Sequence, residues 1–168
     1  MKLEELRSIQ APLKEQYRKE LEAALVTLKA SGHLGEGITC KIETGKAIVD
    51  AGLHPATGGD GFHICSGDLL LEALVACAGV TLNAVATAIG IEIKEGMVYV
   101  EGDLDFRGTL AVSKETPVGF KDIRLNFKLI TDASEHQLAD LLKLTERYCV
   151  VYQTLRNSPA MKVTINNN

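Results

Sequence analysis

The feature that most constrains this chain is one apolar stretch, Ser66 to Gly90, which reads SGDLLLEALVACAGVTLNAVATAIG. Its apolar residues lie on nearly every side of the helix that they predict, so this helix is either buried in a core or placed in a membrane. Ser66 is the predicted N-cap, and Gly90 is typical of the residue that ends a helix. Because Glu72 and Asn83 interrupt the stretch and no Lys/Arg cluster flanks it, we expect a buried central helix and no membrane contact.

Length and composition limit the class of protein. A chain of 168 residues predicts one domain with a real core, and 46% hydrophobic but only 5% aromatic residues make that core aliphatic. The net charge is −4 with mixed signs, which argues against nucleic acid as the main partner. The four cysteines are Cys40, Cys65, Cys77 and Cys149. Without a signal peptide, they predict a cytoplasmic protein with reactive or buried thiols rather than a disulfide framework.

The first part of the chain reads as a helical extension. Apolar residues such as Tyr17, Leu21 and Leu28 recur at helical spacing after Pro12, which suits the first turn of a helix. This spacing predicts a helix over residues 2–31. We therefore divide the chain into an N-terminal helical extension at residues 1–36 and a main domain at residues 37–168.

The rest of the chain alternates between strands and helices. A capping box at Ser134 and Gln137 begins an amphipathic helix that, if continuous, brings Cys149 onto its inward stripe. The alternation of apolar and polar residues predicts strands at Ile38–Ile42, Ala47–Asp50, Ile91–Lys94, Met97–Phe106, Phe120–Thr131 and Met161–Ile165. This order indicates an α+β fold with a mostly antiparallel sheet. One amphipathic helix cannot cover the central helix, so we expect a homodimer in which two central helices pack together.

A loop rich in Gly and Pro precedes the central helix and supplies His54, His63 and Cys65. Loops at helix N-termini often carry ligand contacts. A metal site that combines these side chains with Cys77 is conceivable, but their spacing matches no zinc pattern. We therefore predict no metal.

Two segments give the chain a resemblance to a known family. These are SGDLLLEALVACAGVTLNAVA, which carries Cys77, and ERYCVVYQTLRNS, which carries Cys149. From Ile38 to Ile165 the chain resembles the OsmC/Ohr family, the osmotically induced and organic hydroperoxide resistance proteins. The resemblance implies an OsmC-like fold, an intertwined homodimer with active sites at the subunit interface, and a thiol peroxidase. It makes Cys77 the peroxidatic cysteine and Cys149 the resolving one, with an external dithiol reductant and no bound cofactor.

The chain departs from the family in the groups that activate the thiolate, which makes it a divergent member. Peroxidases of the family use an arginine from the N-terminal strand region and a glutamate near the start of the central helix. This chain has no arginine between Gly32 and Cys77, and Gly67 stands where the glutamate is expected. Thr81 shares the helix face of Cys77, whereas Asp68 and Glu72 do not. The remaining candidate activators are His54 and His63, or Arg107, Arg147 or Arg156 from a later segment or from the other subunit.

Two functions follow from these residues. The first is an antioxidant, thiol-dependent peroxidase of the oxidative stress response, and the apolar surroundings of Cys77 favour organic hydroperoxides over hydrogen peroxide. The alternative is a catalytically divergent OsmC-fold protein that binds a small hydrophobic ligand or senses redox state at the dimer interface. The sequence leaves open whether Cys65 competes with Cys149 as the partner of Cys77.

Overall fold

The computed structural model describes residues 3–34, 40–42 and 51–165. Its helices are α1 (Leu3–Lys19), α2 (Ser66–Ile89), α3 (Phe106–Thr109), α4 (Glu135–Tyr148) and α5 (Val150–Arg156). Its strands are β1 (Leu25–Leu34), β2 (Cys40–Ile42), β3 (Ala51–Gly52), β4 (Ile64–Cys65), β5 (Glu95–Asp105) and β6 (Phe120–Ile130). Two short 3₁₀ turns lie at Leu21–Ala24 and Pro55–Thr57. The order of helices and strands confirms the α+β class.

The main sheet is antiparallel and has the order β2-β1-β5-β6 over the described residues. Strand β1 pairs with β5 from Leu25, opposite Asp105, to His33, opposite Met97. The predicted helix over residues 2–31 is therefore wrong beyond Lys19, because pairing with β5 overrides the helical spacing of the apolar residues. The sheet thus includes residues of the predicted N-terminal extension, and the boundary at residue 36 stays a prediction.

Helix α2 is the centre of the core, as predicted. It packs on β1 and β5 on one side and on α4 and α5 on another. The side chains of its covered face are buried: Leu71, Leu74, Val75, Ala78, Leu82, Val85 and Ala86. By length and composition alone α2 could cross a membrane, but here these side chains fill the core of the domain. A strip that includes Leu70, Ala73 and Val80 remains exposed.

The two ends of α2 differ from the prediction in detail. The N-cap is Cys65, whose sulfur accepts a hydrogen bond from the Gly67 N–H at 3.4 Å, and not Ser66. Gly90 ends the helix in the left-handed conformation, as predicted, at φ 74°. The Ile91 N–H then bonds the Ala86 carbonyl at 2.9 Å. This closing turn buries Ile91, so its apolar character reflects helix termination, and the predicted strand at Ile91–Lys94 is wrong.

The other strand predictions have mixed outcomes. Strands β5 and β6 confirm the predictions for Met97–Phe106 and Phe120–Thr131 to within a few residues, and β2 confirms Cys40–Ile42. The segment 158–165 is not a strand, and its Met161, Val163 and Ile165 are 86%, 91% and 92% exposed. Their alternation lacks a partner strand within the described chain. Ile38 and the predicted strand at 47–50 lie outside the described residues.

Candidate active site

Cys77 and Cys149 reach one another from different elements. Cys77 lies in the middle of α2 and is partly exposed, whereas Cys149 is fully buried. The capping box at Ser134 and Gln137 begins α4 as predicted. The helix is not continuous through Cys149, however. That residue has extended backbone angles (φ −70°, ψ 107°) and is both the C-cap of α4 and the N-cap of α5. This bend points the Cys149 side chain into the core, toward α2.

The two thiols lie close enough for each to shift the pKa of the other, and no disulfide joins them. The Thr81 hydroxyl lies one helical turn beyond Cys77, with its Oγ1 4.0 Å from the Cys77 Sγ. The first turn of α5 completes the surroundings, because its backbone N–H groups point at the sulfurs. The backbone of Val150 and Val151 bonds Cys77, and that of Val151 and Tyr152 bonds Cys149.

These contacts separate the pKa values of the two thiols. For Cys77, burial raises the pKa, but the hydrogen bonds from the Val151 N–H, the Cys149 thiol, the Thr81 hydroxyl and the Val150 N–H outweigh burial. The net effect lowers the pKa of Cys77 below its ordinary value. A lowered pKa increases the thiolate fraction, and the thiolate is the reactive form.

Cys149 has the opposite character. The pKa of Cys149 is raised to about 11, chiefly by burial and also by the hydrogen bond and negative charge of Cys77, against the bonds from the α5 backbone. Cys149 is therefore a neutral thiol at neutral pH, and it donates to the Cys77 sulfur. Of the pair, Cys77 is the group prepared to act as a nucleophile.

The structure also settles the reach of Cys65 within one chain. Cys65 caps the N-terminus of α2, and Cys77 lies in the middle of the same helix. The rise of an α-helix separates them by roughly 18 Å along its axis, whereas a disulfide needs Cα atoms about 4.4–6.8 Å apart. Cys65 therefore does not compete with Cys149 for Cys77 inside a subunit.

The carboxylates near the start of α2 form a separate group. Burial raises the pKa of Asp68, and the charge of His54 opposes that effect. Burial also raises the pKa of Glu72, with a further contribution from the charge of Asp68. His54 itself caps the turn at Pro55–Thr57 and stacks on Phe106 with ring centroids 4.9 Å apart. These contacts give His54 a structural role.

The basic side chains that were candidate activators have other partners. His63 lies 3.1 Å from the Asp60 carboxylate. Arg107 forms a forked ion pair with Asp105, and Arg147 lies over the Tyr148 ring, 5.3 Å from its centroid. Arg156 approaches Glu146 at 3.9 Å. Among the described residues there is no group of three or more His, Cys, Asp or Glu side chains that could hold a metal ion.

Comparison with known proteins identifies the family. A model of the family described as OsmC-like protein matches residues 58–164, which is more than half of the chain. This chain belongs to the OsmC-like protein family. No curated protein sequence gives a significant match.

Two solved structures share the OsmC-like fold. An OsmC-like hydroperoxide resistance protein from Jannaschia sp. CCS1 is similar with a TM-score of 0.61 and 16% identity, over 86% of this chain and 95% of that one. An OsmC-like protein from Mycoplasma pneumoniae has a TM-score of 0.55 and 19% identity, over 80% of this chain and 86% of that one. At these identities the likeness is one of fold.

A cavity of about 520 Å³ lies next to helices α4 and α5 in the OsmC-like domain. It runs between β6 and the helices α2, α4 and α5, and Tyr152 and Leu155 carry its wall up to the turn that holds Cys149. Most of the other lining residues are apolar, namely Leu74, Phe120, Ile123, Leu125, Phe127 and Leu142. The charged lining residues are Lys121, Asp122, Glu146 and Arg156. The lining therefore offers a ligand both apolar and charged contacts.

Sequence reasoning missed the backbone donors at Val150 and Val151. They exist because the helix breaks at Cys149, and no Gly, Pro or usual N-cap residue marks that break. The one local signal is the pair of β-branched valines, which have lower helix propensity. The turn capped by His54 was open to prediction, since a Pro at the first helical position follows an extended residue.

Arg107 stabilises the OsmC-like fold in this structure. Asp105 is fully buried, and hydrogen bonds from Arg107 lower the pKa of its carboxyl. Replacing Arg107 with methionine leaves the buried Asp105 carboxylate without its ion-pair partner. We therefore expect a clear fall in the midpoint of thermal unfolding and an unchanged rate of Cys77 alkylation. The exposed pair of Arg18 and Glu15 provides the control, because Arg18→Met is expected to change little.

The effect of the Arg107 variant depends on pH with a definite sign. Because the pKa of Asp105 is lowered in the folded state, its stabilisation is present above its ordinary pKa of 3.8 and is lost as the pH falls through the lowered value. The difference in the midpoint of thermal unfolding between the parent and Arg107→Met is therefore expected to become smaller at acid pH. A slower alkylation of Cys77 at unchanged stability would instead place Arg107 in the thiol site.

Proposed function

We propose that this chain is a thiol-dependent peroxidase that reduces organic hydroperoxides with Cys77 as nucleophile and Cys149 as resolving thiol. One observation carries the proposal. Two thiols from separate parts of the fold lie close enough to shift each other's pKa, and hydrogen bonds lower the pKa of one while burial raises the pKa of the other. Inert core cysteines need no such difference. The Jannaschia protein with the same fold is named as a hydroperoxide resistance protein.

The first step oxidises Cys77. Its thiolate attacks the terminal oxygen of the hydroperoxide, an S–O bond forms and the O–O bond breaks. Sulfur gives up two electrons and becomes a sulfenic acid, and the alkoxide that leaves takes a proton to become the alcohol. The partly exposed position of Cys77 admits the substrate to the sulfur.

The second step uses Cys149. Once Cys77 is a sulfenic acid, its negative charge is gone, and with it one of the causes that raise the pKa of Cys149. The Cys149 sulfur then attacks the Cys77 sulfur, the S–S bond forms, and the S–O bond breaks with release of water. A dithiol reductant returns both cysteines to thiols and becomes a disulfide itself, which suits a reducing compartment such as the cytoplasm.

Organic hydroperoxides suit the surroundings of Cys77 better than hydrogen peroxide. Cys77, Val151 and Tyr152 each pack against the same aliphatic core, and Ala73 and Val80 lie one turn from Cys77 on the same side of α2. When an alkyl or aryl group replaces water on an apolar surface, the free energy falls and binding is favoured. Hydrogen peroxide has no such group.

The proposal is tested with cumene hydroperoxide and hydrogen peroxide. The reduced protein is mixed with each oxidant, free thiols are counted, and the products are mapped by peptide mass spectrometry. We expect a loss of two thiols per chain, a Cys77–Cys149 disulfide, and a faster reaction with cumene hydroperoxide. Thiols that remain reduced for hours in a modest excess of both oxidants would contradict a peroxidase and point to a binding or sensing role.

We also propose that two chains form a homodimer. The uncovered strip of α2 is apolar, with Leu70 and Val80 each 37% exposed. The segment 158–165 adds three alternating apolar side chains that are almost fully exposed, namely Met161, Val163 and Ile165. A second copy of the chain offers both surfaces at once, and a two-fold axis would bring the same surfaces together on each copy.

The dimer proposal predicts a difference between the two faces of the C-terminal segment. Val163→Asp puts a charge on the apolar face, so we expect a shift from dimer to monomer in sedimentation analysis at micromolar concentration. Thr164→Asp puts the same charge on the opposite face and is the matched control. Equal sedimentation of the parent, Val163→Asp and Thr164→Asp as dimers would exclude this segment from the interface, and a monomeric parent would contradict the dimer itself.

A further inference from the structure

We propose that the Thr81 hydroxyl is a catalytic group of this site, which donates a hydrogen bond to the Cys77 thiolate and takes over part of the task for which related peroxidases use an arginine. The inference rests on the proposed function, because it concerns the same nucleophile. Thr81 lies four residues after Cys77 on α2, and its Oγ1 is 4.0 Å from the Cys77 Sγ.

The position of Thr81 makes it a fixed donor. Side chains four residues apart lie on the same face of an α-helix, one turn above the other. Helix α2 is the central element of the core. The buried side chains of Leu74, Ala78 and Leu82 hold this part of the helix in place, so Cys77 and Thr81 keep their relative positions. A β-branched side chain also has few rotamers in a helix, which keeps the hydroxyl close to the sulfur.

The chemistry of the pair changes with the charge on sulfur. A thiol and a hydroxyl can each donate, but a thiolate only accepts, so ionisation of Cys77 directs the hydroxyl proton toward the sulfur. Hydrogen bonds to an ionised acceptor are stronger than those between neutral groups. The bond therefore favours the ionised form, in the same direction as the N–H groups of Val150 and Val151.

The basic side chains described above leave this task open to a neutral donor. Arg107 and His63 are paired with the carboxylates of Asp105 and Asp60. A hydroxyl donates a hydrogen bond to the sulfur without bringing a charge into the partly buried surroundings of Cys77. It therefore needs no counter-ion of its own. This arrangement lets an apolar site hold a thiolate.

The test measures thiol ionisation and not peroxide turnover. The rate of iodoacetamide alkylation at Cys77 is followed by peptide mass mapping across pH, and the midpoint of the profile gives the apparent pKa. The midpoint is used because the plateau rate also changes with thiolate basicity. Thr81→Val keeps the shape and removes the hydroxyl, and we expect it to raise the midpoint by about 0.5–1 pH unit, which is about a three- to tenfold loss of thiolate at neutral pH.

Thr81→Ser keeps a hydroxyl and is expected to restore the parent midpoint. Thr87→Val is the matched control, since Thr87 donates to the Asn83 carbonyl, further along α2. If Thr81→Val does not fold, Thr81→Ala provides the same measurement. A parent midpoint in Thr81→Val or Thr81→Ala would overturn the inference. A parent that reduces no hydroperoxide would contradict the proposed function and leave the ionisation result standing.

Discussion

Replacing Cys77 with serine is expected to abolish hydroperoxide reduction, with a loss of about three orders of magnitude or more. A serine hydroxyl is almost wholly neutral at pH 7, and the hydrogen bonds that lower the pKa of Cys77 cannot overcome that difference. The measurement is steady-state consumption of cumene hydroperoxide with a dithiol reductant in excess. The fold is expected to survive, because sulfur and oxygen differ little in size and Thr81 remains as a hydrogen-bonding partner.

Cys65→Ser is the matched control for this variant. It removes a thiol from the same helix, and serine is a good N-cap that preserves the hydrogen bond to the Gly67 N–H. Its turnover is expected to equal that of the parent. Activity that survives in Cys77→Ser but disappears in Cys65→Ser would contradict the proposal and identify Cys65, at the N-terminus of α2, as the nucleophile.

Removing the resolving thiol is expected to separate the two halves of the reaction. In Cys149→Ala, Cys77 still attacks the hydroperoxide once, but its sulfenic acid has no neighbouring thiol with which to condense. We expect turnover to fall to a few per cent of the parent at most, while the burst of a single oxidation remains. A sulfenic acid trap such as dimedone is expected to label Cys77 in this variant and not in the parent.

The sulfenic acid of Cys149→Ala is also expected to oxidise further when hydroperoxide is in excess, which gives the irreversible sulfinic acid. Full turnover in this variant would show that the external reductant attacks the sulfenic acid directly. In that case the contact between Cys149 and Cys77 would serve packing and thiol ionisation, and the proposal of a resolving cysteine would be wrong.

Local patterns in the sequence predicted the elements that depend on neighbouring residues. Helix α2, its stop at Gly90 and the capping box at Ser134 each follow from residues within one or two turns. Strand β6 was predicted because its alternation runs through the whole strand and one face lies on the core.

The parts that depend on distant residues could not be predicted in this way. Leu25 and Leu28 continue the helical spacing of the residues before them, and only pairing with β5 makes this segment a strand. Residues 161–165 have strand spacing and no partner in the described chain. The contact between Cys77 and Cys149 spans much of the sequence, so it was expected from the family resemblance and not from spacing. The backbone donors of α5 depend on a helix break whose one local signal, the pair of β-branched valines, is too weak to predict it.

The bend at Cys149 has a consequence for how heat acts on this protein. Helix α5 has only seven residues, too few to persist without its packing on the domain, yet its first turn supplies backbone N–H groups to both sulfurs. Fraying of this one turn would remove donors from Cys77 and Cys149 together and would leave the packing of α2 on the sheet in place. We therefore expect warming to weaken the ionisation of Cys77 by local unfolding of this turn, below the temperature at which the domain unfolds.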